Sequence, residues 1–224
     1  MKFAVLGTGM VGRAIAGRLA ELGHEVSIGT RDVPTTLART DGGSPFSEWQ
    51  REHPRVGLAA FSEIGGAAEI IVNATAGEAS LTVLESVGAP ALAGKIIIDI
   101  ANPLDFSHGM PPVLSVVNDD SLGEQIQHAY PEARVVKTLN TMNASVMVDP
   151  ARVPGRHDVF VAGEDGAAKQ TVTALLTEFG WPAESVIDLG GIRAARGTEM
   201  YLPLWLSLWG VLQTGDFNIA IVRA

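Results

Sequence analysis

The hexapeptide Gly7-Thr8-Gly9-Met10-Val11-Gly12 constrains this chain more than any other feature, because glycine stands at each of the three positions where a dinucleotide-binding turn has no room for a side chain. It follows a short apolar run, Lys2 to Leu6. It opens a segment, Met10 to Glu21, whose apolar residues recur at helical spacing, and Glu25 to Ile28 is apolar again. The pattern is β-α-β. In that setting the first glycine makes the tight turn, the second lets backbone N–H groups approach a pyrophosphate, and the third lets helix and strand pack closely. The helix N-terminus then stabilises the anion. The sequence therefore predicts a Rossmann unit in which Gly7, Thr8, Gly9, Met10, Val11 and Gly12 hold the nucleotide. The alternative is a glycine-rich β-α turn that binds nothing.

The tip of the second strand speaks to which nucleotide. An NAD site usually places Asp or Glu there, about 20 residues beyond the glycines, to accept from the ribose 2′-hydroxyl. Here the strand ends Ser27-Ile28-Gly29-Thr30-Arg31. The Thr30 hydroxyl and the Arg31 guanidinium suit a 2′-phosphate instead, so NADP(H) is the expected cofactor. Asp32 next door is the one group that argues for NAD, and a carboxylate beside a 2′-phosphate is unfavourable.

Further along, strands are expected at Val56 to Ala60, Glu69 to Ala74, Lys95 to Ile100 and Arg134 to Leu139. Residues 32 to 55 are punctuated by Pro34, Asp41-Gly42-Gly43, Pro45 and Pro54 and read as a helix and a loop. A helix is expected from Ser80 to Val87 and another after Ser121, which stands at capping-box spacing from Glu124. Beyond residue 140 come a helical stretch at Asn143 to Met147, strands at Val159 to Ala162 and Val186 to Leu189 flanking a helix at Ala167 to Phe179, and one long or broken apolar helix. The fold class is α/β, a doubly wound parallel Rossmann sheet with a smaller, mostly helical C-terminal domain. Residues 1–139 are expected to form the NADP-binding domain and 140–224 a domain lining the second-substrate pocket.

Ligands of open α/β sheets sit beyond the carboxyl ends of the strands. Three tips carry polar or small residues suited to that. Asn73, Ala74 and Thr75 follow the fourth strand and suit a ribose; Ala101, Asn102 and Pro103 follow the fifth, where a nicotinamide belongs, with Asn102 a candidate for its carboxamide. Asn140 and Thr141, after Lys137-Thr138-Leu139, face the same crevice. Lys137 reads as structural or solvated rather than as a base, since it precedes the tip.

Composition removes whole classes of chemistry. The chain has 224 residues, no cysteine and a formal net charge of −9, which excludes thiolate metal sites and thiol nucleophiles and fits a cytoplasmic address. With no Lys/Arg cluster, neither nucleic acid nor a membrane surface is an expected partner. The apolar stretch Tyr201 to Leu212 falls short of the ~20 residues that span a bilayer and reads as a buried or subunit-facing helix, which makes a homodimer the expected assembly. His24, His53, His108, His128 and His157 fall on no metal-ligand spacing, and most are expected at the surface; no metal is expected. A dinucleotide loop without a strong acid/base pair points to hydride transfer between bound rings, with Asn102, Asn140 and Thr141 orienting them.

These motifs together resemble the NADPH-dependent reductases of the deazaflavin coenzyme F420. The resemblance rests on Gly7 to Gly12, Gly29-Thr30-Arg31, Asn102-Pro103-Leu104, Val136-Lys137-Thr138-Leu139-Asn140-Thr141 and Gly215-Asp216-Phe217-Asn218-Ile219, and spans nearly the whole chain. It implies an NADP domain, a smaller C-terminal domain whose apolar pocket takes the deazaflavin, and direct hydride transfer. On it, Thr8 to Val11 hold the pyrophosphate, Thr30 and Arg31 the 2′-phosphate, and Asn140 and Thr141 border the deazaflavin. The archaeal members carry His followed by Thr-Ile-Pro where this chain has Asn140-Thr141-Met142-Asn143. Two other readings share the glycine loop: a non-catalytic NADP(H) sensor or accessory protein, and a short reductase acting on an imine or keto acid, whose families add on the order of 100 residues of substrate domain.

Overall fold

The computed structural model describes residues 1–40 and 44–223; the expected turn at Asp41-Gly42-Gly43 lies outside the described residues. Among the described residues ten strands form: β1 Lys2–Leu6, β2 Glu25–Thr30, β3 Gly57–Ala60, β4 Ile70–Asn73, β5 Ile96–Asp99, β6 Leu104–Asp105, β7 Val113–Leu114, β8 Arg134–Thr138, β9 Val159–Ala162 and β10 Val186–Asp188. Eight of them make one sheet in the order β10-β9-β8-β5-β4-β1-β2-β3. From β3 to β8 every pairing is parallel, which is the doubly wound arrangement with its chain reversal between β1 and β4. Beyond β8, outside the span for which the alternation predicts a parallel sheet, the strand direction changes. β9 runs antiparallel to β8, because the chain returns through the short helix Ala144–Val148 without a full crossover, and β10 then pairs parallel with β9. The boundary expected at 139/140 falls inside this sheet, since β9 and β10 come from beyond it.

Both faces of the sheet are covered. The helices Met10–Glu21 and Gly166–Phe179 pack on one, burying Ile15, Leu19, Val172 and Leu176 against Val5, Val72 and Ile98. The helices Ser80–Val87 and Leu122–Ala129 pack on the other, burying Leu84 and Ile126 against Leu6, Ile71 and Ile97. Strands buried on both faces explain why Ile70 to Val72 and Ile96 to Ile98 read as unbroken apolar runs.

Residues 32–55 hold two short helices, Val33–Ala38 and Phe46–Glu52, rather than one helix and a loop. The long loop after β5 contains the β6-β7 hairpin, two residues a side. The apolar C-terminal helix is broken at Tyr201 into Ala195–Met200 and Leu202–Leu212. Not all histidines lie at the surface: His157 is buried edge-on against the Trp181 ring, which fills the space behind it, and its Nε2 lies 3.0 Å from the Pro150 carbonyl oxygen.

Candidate functional site

The carboxyl ends of β1, β2 and β4 frame a crevice of about 580 Å³ at the topological switch point, lined by Gly7 to Gly9, Thr30 to Asp32 and Ala74 to Ala76. A larger hollow of about 1250 Å³ runs beside the helix Leu122–Ala129 to the foot of β8 and touches none of these tips, so size alone does not identify the site.

Each glycine of the loop has a geometric reason. Gly7 adopts φ +116°, and a Cβ on Gly12 would sit 2.0 Å from the Gly7 carbonyl oxygen, so the turn and the helix start are locked together. A Cβ on Gly9 would meet nothing within 4 Å: the space above the loop is open. Gly9 is also the N-cap of Met10–Glu21 and supplies no side-chain acceptor, nor does the first turn hold an acid, so the helix start is electrostatically suited to an anion. Arg13 braces the loop through Nε to the Thr8 carbonyl at 2.8 Å.

The ribose end is organised by hydrogen bonds. Asp32 is the N-cap of Val33–Ala38, its Oδ1 accepting from the Thr35 amide at 2.7 Å, and this bonding holds its carboxyl below the usual range. Its charge is therefore partly satisfied within the protein. Thr36 donates to the Asp32 carbonyl at 2.8 Å, so the 2.6 Å contact between Thr30 and Thr36 takes the Thr30 proton. Thr30 is buried and has no hydroxyl proton left for a phosphate, contrary to the role expected of it. Arg31 remains exposed at the crevice wall, and Arg39, which the sequence did not single out, lines the same crevice.

Behind the tips lies a row of buried residues that is polar beyond β1. Leu6, Asn73, Asp99 and Lys137 are successive register partners across β1, β4, β5 and β8. Asn73 does not face the crevice. It is wholly buried, donating through Nδ2 to Asp99 Oδ1 and Ser80 Oγ, both at 2.9 Å, and accepting from the Thr75 hydroxyl at 2.7 Å. Lys137, 1% exposed, is not solvated: its Nζ lies 2.8 Å from Asp99 Oδ2 and 2.7 Å from Glu199 Oε1, and it also donates to the Ala101 carbonyl. Burial pulls the Lys137 ammonium toward neutrality, but the two carboxylates outweigh it and hold the group above its ordinary value.

The tips of β5 and β8 are stitched together. Asn102 Nδ2 donates to the Asn140 carbonyl at 2.8 Å and Asn140 Nδ2 returns to Asn102 Oδ1 at 2.9 Å. Leu139, at φ +61°, takes the left-handed conformation that costs a branched side chain energy, and it turns the chain so that Asn140 reaches Asn102. Asn140, Thr141, Ala101 and Pro103 are all buried, and Asn102 between the last two is partly exposed. Met10, by contrast, stands exposed beside the loop. Among the described residues no group of three or more His, Asp or Glu could hold a metal ion, and no helix is long and apolar enough to cross a membrane.

Comparison with known proteins places this geometry. The F420-dependent NADP reductase of Methanothermobacter marburgensis is 30% identical over 212 residues, which cover 93% of this chain and 92% of the relative. The chain belongs to the coenzyme F420-dependent NADP oxidoreductase family. The family model described as NADP oxidoreductase coenzyme F420-dependent matches residues 2–103, the part that carries the glycine loop and the first three crevice tips. A crystal structure of a provisionally named F420-dependent NADP reductase from Arthrobacter sp. FB24 superposes with a TM-score of 0.95 at 62% identity, covering both chains in full. An imine reductase of Aspergillus terreus shares the fold at TM-score 0.62 and 19% identity, and this chain spans 62% of its length. In this family member the buried Asn73-Asp99-Lys137 row, Glu199 and Arg39 were beyond sequence reasoning: the first requires strand register, and the others join the site only through the tertiary fold.

Proposed function

We propose that this protein transfers hydride between NADPH and a deazaflavin of the coenzyme F420 type. The observation that carries the reading is the crevice at the switch point, lined by Arg31 and Arg39, where the adjoining carboxylate Asp32 is engaged in capping a helix and Glu78 stands on the wall toward the tip of β4. The family assignment supports an NADP-dependent oxidoreductase, and the relatives' names supply the deazaflavin.

The residues fit a dinucleotide. Open space above Gly9 and the uncapped start of Met10–Glu21 would receive the pyrophosphate through the backbone of Thr8 to Gly12. Arg31, with Arg39, would hold the 2′-phosphate, with Thr30 forming the wall behind. Ala74 and Thr75 would flank the ribose, and Ala101, Asn102 and Pro103 the nicotinamide. A bound reduced nicotinamide supplies the hydride. The chain's task is to orient the ring and keep water from it, which the Asn102–Asn140 pair serves by fixing two strand tips at once. Residues 140–224 would line the second-substrate pocket, with Asn140 and Thr141 at its border.

The helix Leu202–Leu212 is apolar at nearly every position yet leaves Val211 81% exposed and Leu204, Trp209 and Leu212 about half exposed; we take a second copy of the chain to cover it. Lack of cysteine fits a reducing cytoplasm as the place of work.

The test is to mix the protein with NADPH and, in turn, oxidised deazaflavin, flavins, imines and keto acids, and to follow nicotinamide absorbance. Loss with deazaflavin alone is the expected result. Turnover with imines or keto acids and none with deazaflavin refutes the proposal. For the cofactor, Arg31→Ala weakens NADPH by about 1.5–3 kcal/mol, the range for a hydrogen bond to a charged group, and leaves NADH nearly unchanged; equal losses for both refute NADP preference.

A further inference from the structure

We propose that Lys137 is a positioning residue: clamped between Asp99 and Glu199, it fixes the Ala101–Asn102 peptide at the nicotinamide end of the crevice and ties the C-terminal helices to cofactor placement. The inference rests on the reading that a dinucleotide spans these strand tips.

An ammonium has three N–H donors, and Lys137 spends one on each of three acceptors: Asp99 Oδ2, Glu199 Oε1 and the Ala101 carbonyl. Asp99 in turn uses its second oxygen to accept the Ala101 amide at 3.2 Å. One buried ion pair thus holds both polar groups of the Ala101 backbone, immediately before Asn102. The same strand reaches the loop again three residues later, where Asn140 exchanges hydrogen bonds with Asn102. Glu199 belongs to the helix Ala195–Met200 and also accepts the amides of Leu122 and Gly123, at 2.9 and 3.1 Å. It therefore joins three bodies: the start of Leu122–Ala129, the C-terminal helices and, through Lys137, the loop after β5.

A buried ion cluster that merely filled the core would gain little over apolar residues of the same volume. This one lies in the sheet row next to the strand tips, and its last contacts on the crevice side are backbone groups of one loop residue. Its other arm runs through Asn73 to Thr75, at the tip of β4. One arm thus ends at Thr75, which lines the crevice, and the other at Ala101, on the neighbouring tip of β5.

Two near-isosteric variants, Glu199→Gln and Asp99→Asn, remove one charge each without changing volume. Binding of NADP⁺ and of adenosine 2′,5′-bisphosphate, which carries the ribose phosphate but no nicotinamide, is measured by calorimetry on wild type and both variants, with melting temperatures recorded alongside. The expected result is an NADP⁺ affinity lowered by about tenfold or more, as for loss of a hydrogen bond to a charged group, with the bisphosphate held within about twofold. Equal weakening of both ligands, including loss of both through unfolding, overturns the proposal and leaves the cluster a core element. Unchanged binding of both also overturns it. If the wild type binds neither ligand, the nucleotide reading itself fails and carries this inference with it.

Discussion

Gly9 and Gly12 lie three residues apart in one motif and answer to different forces, which substitution separates. A methyl on Gly12 would lie 2.0 Å from the Gly7 carbonyl oxygen, so Gly12→Ala has to move backbone. It is expected to cost about 1–3 kcal/mol in denaturant unfolding, the range for an overpacked site, and to abolish NADPH binding with it. Gly9→Ala meets no neighbour, so it costs about 1 kcal/mol or less, the scale of an N-cap change, while its methyl occupies the space the pyrophosphate needs. Stability and binding fall together in the first variant and part company in the second. The glycines were legible in the sequence because their spacing and their place between strand and helix are local facts. Asp32 was legible only in part. Asp followed by Pro34 two residues on is a helix-start signature, and the expected rivalry between Asp32 and a 2′-phosphate dissolves once its Oδ1 is seen to cap Val33–Ala38. Thr30 illustrates the opposite failure: nothing local says that Thr36 takes its proton.

Among the elements, the helix Leu122–Ala129 shows how a local signal and a distant one combine. Ser121 caps it by accepting the Glu124 amide at 3.1 Å, as the spacing predicts. The Glu124 side chain does not close the box on the Ser121 amide, which Asp120 takes; it accepts from the Ser121 hydroxyl at 2.7 Å and from Arg196, with contacts of 2.7 and 2.6 Å. Arg196 is 72 residues away, so that half of the arrangement could not be read from the chain. The Arg196 guanidinium, more than any other neighbour, holds the Glu124 carboxyl below its ordinary value of 4.5. A depressed carboxylate contributes stability that is present above the unfolded value and is lost as pH falls through the folded one. Glu124→Gln is therefore expected to melt lower than wild type at neutral pH, with the difference narrowing as pH drops below about 4.5, in a series of thermal melts. A constant difference across that range would show that the pair carries no pH-dependent stability. Elements with clear helical periodicity, such as Met10–Glu21 and Gly166–Phe179, matched their expected spans closely. The β6-β7 hairpin did not announce itself, because two residues a side are too few for any alternation to show.

For the molecule as a whole, the exposed face of Leu202–Leu212 is the feature with the most direct experimental consequence. A charge placed at Val211, where the side chain is 81% exposed, costs the isolated chain little but would be buried beneath a second copy. Val211→Lys is expected to shift sedimentation velocity profiles toward monomer at micromolar concentration while leaving the melting profile of the monomer intact; wild type that sediments as a monomer would refute assembly through this helix. Doubly wound order was legible from the alternation of elements, whereas the reversal of β9 was not, since a strand's direction depends on the route the chain takes before it. Sheet order has one further consequence. β1 lies between β2 and β4, yet β1 and β2 are synthesised well before β4. Until residues 70–73 emerge from the ribosome, one side of β1 offers a row of unpaired N–H and C=O groups flanked by Phe3, Val5 and Leu6. The nascent chain thus carries an open strand edge, available to stray pairing, throughout that interval.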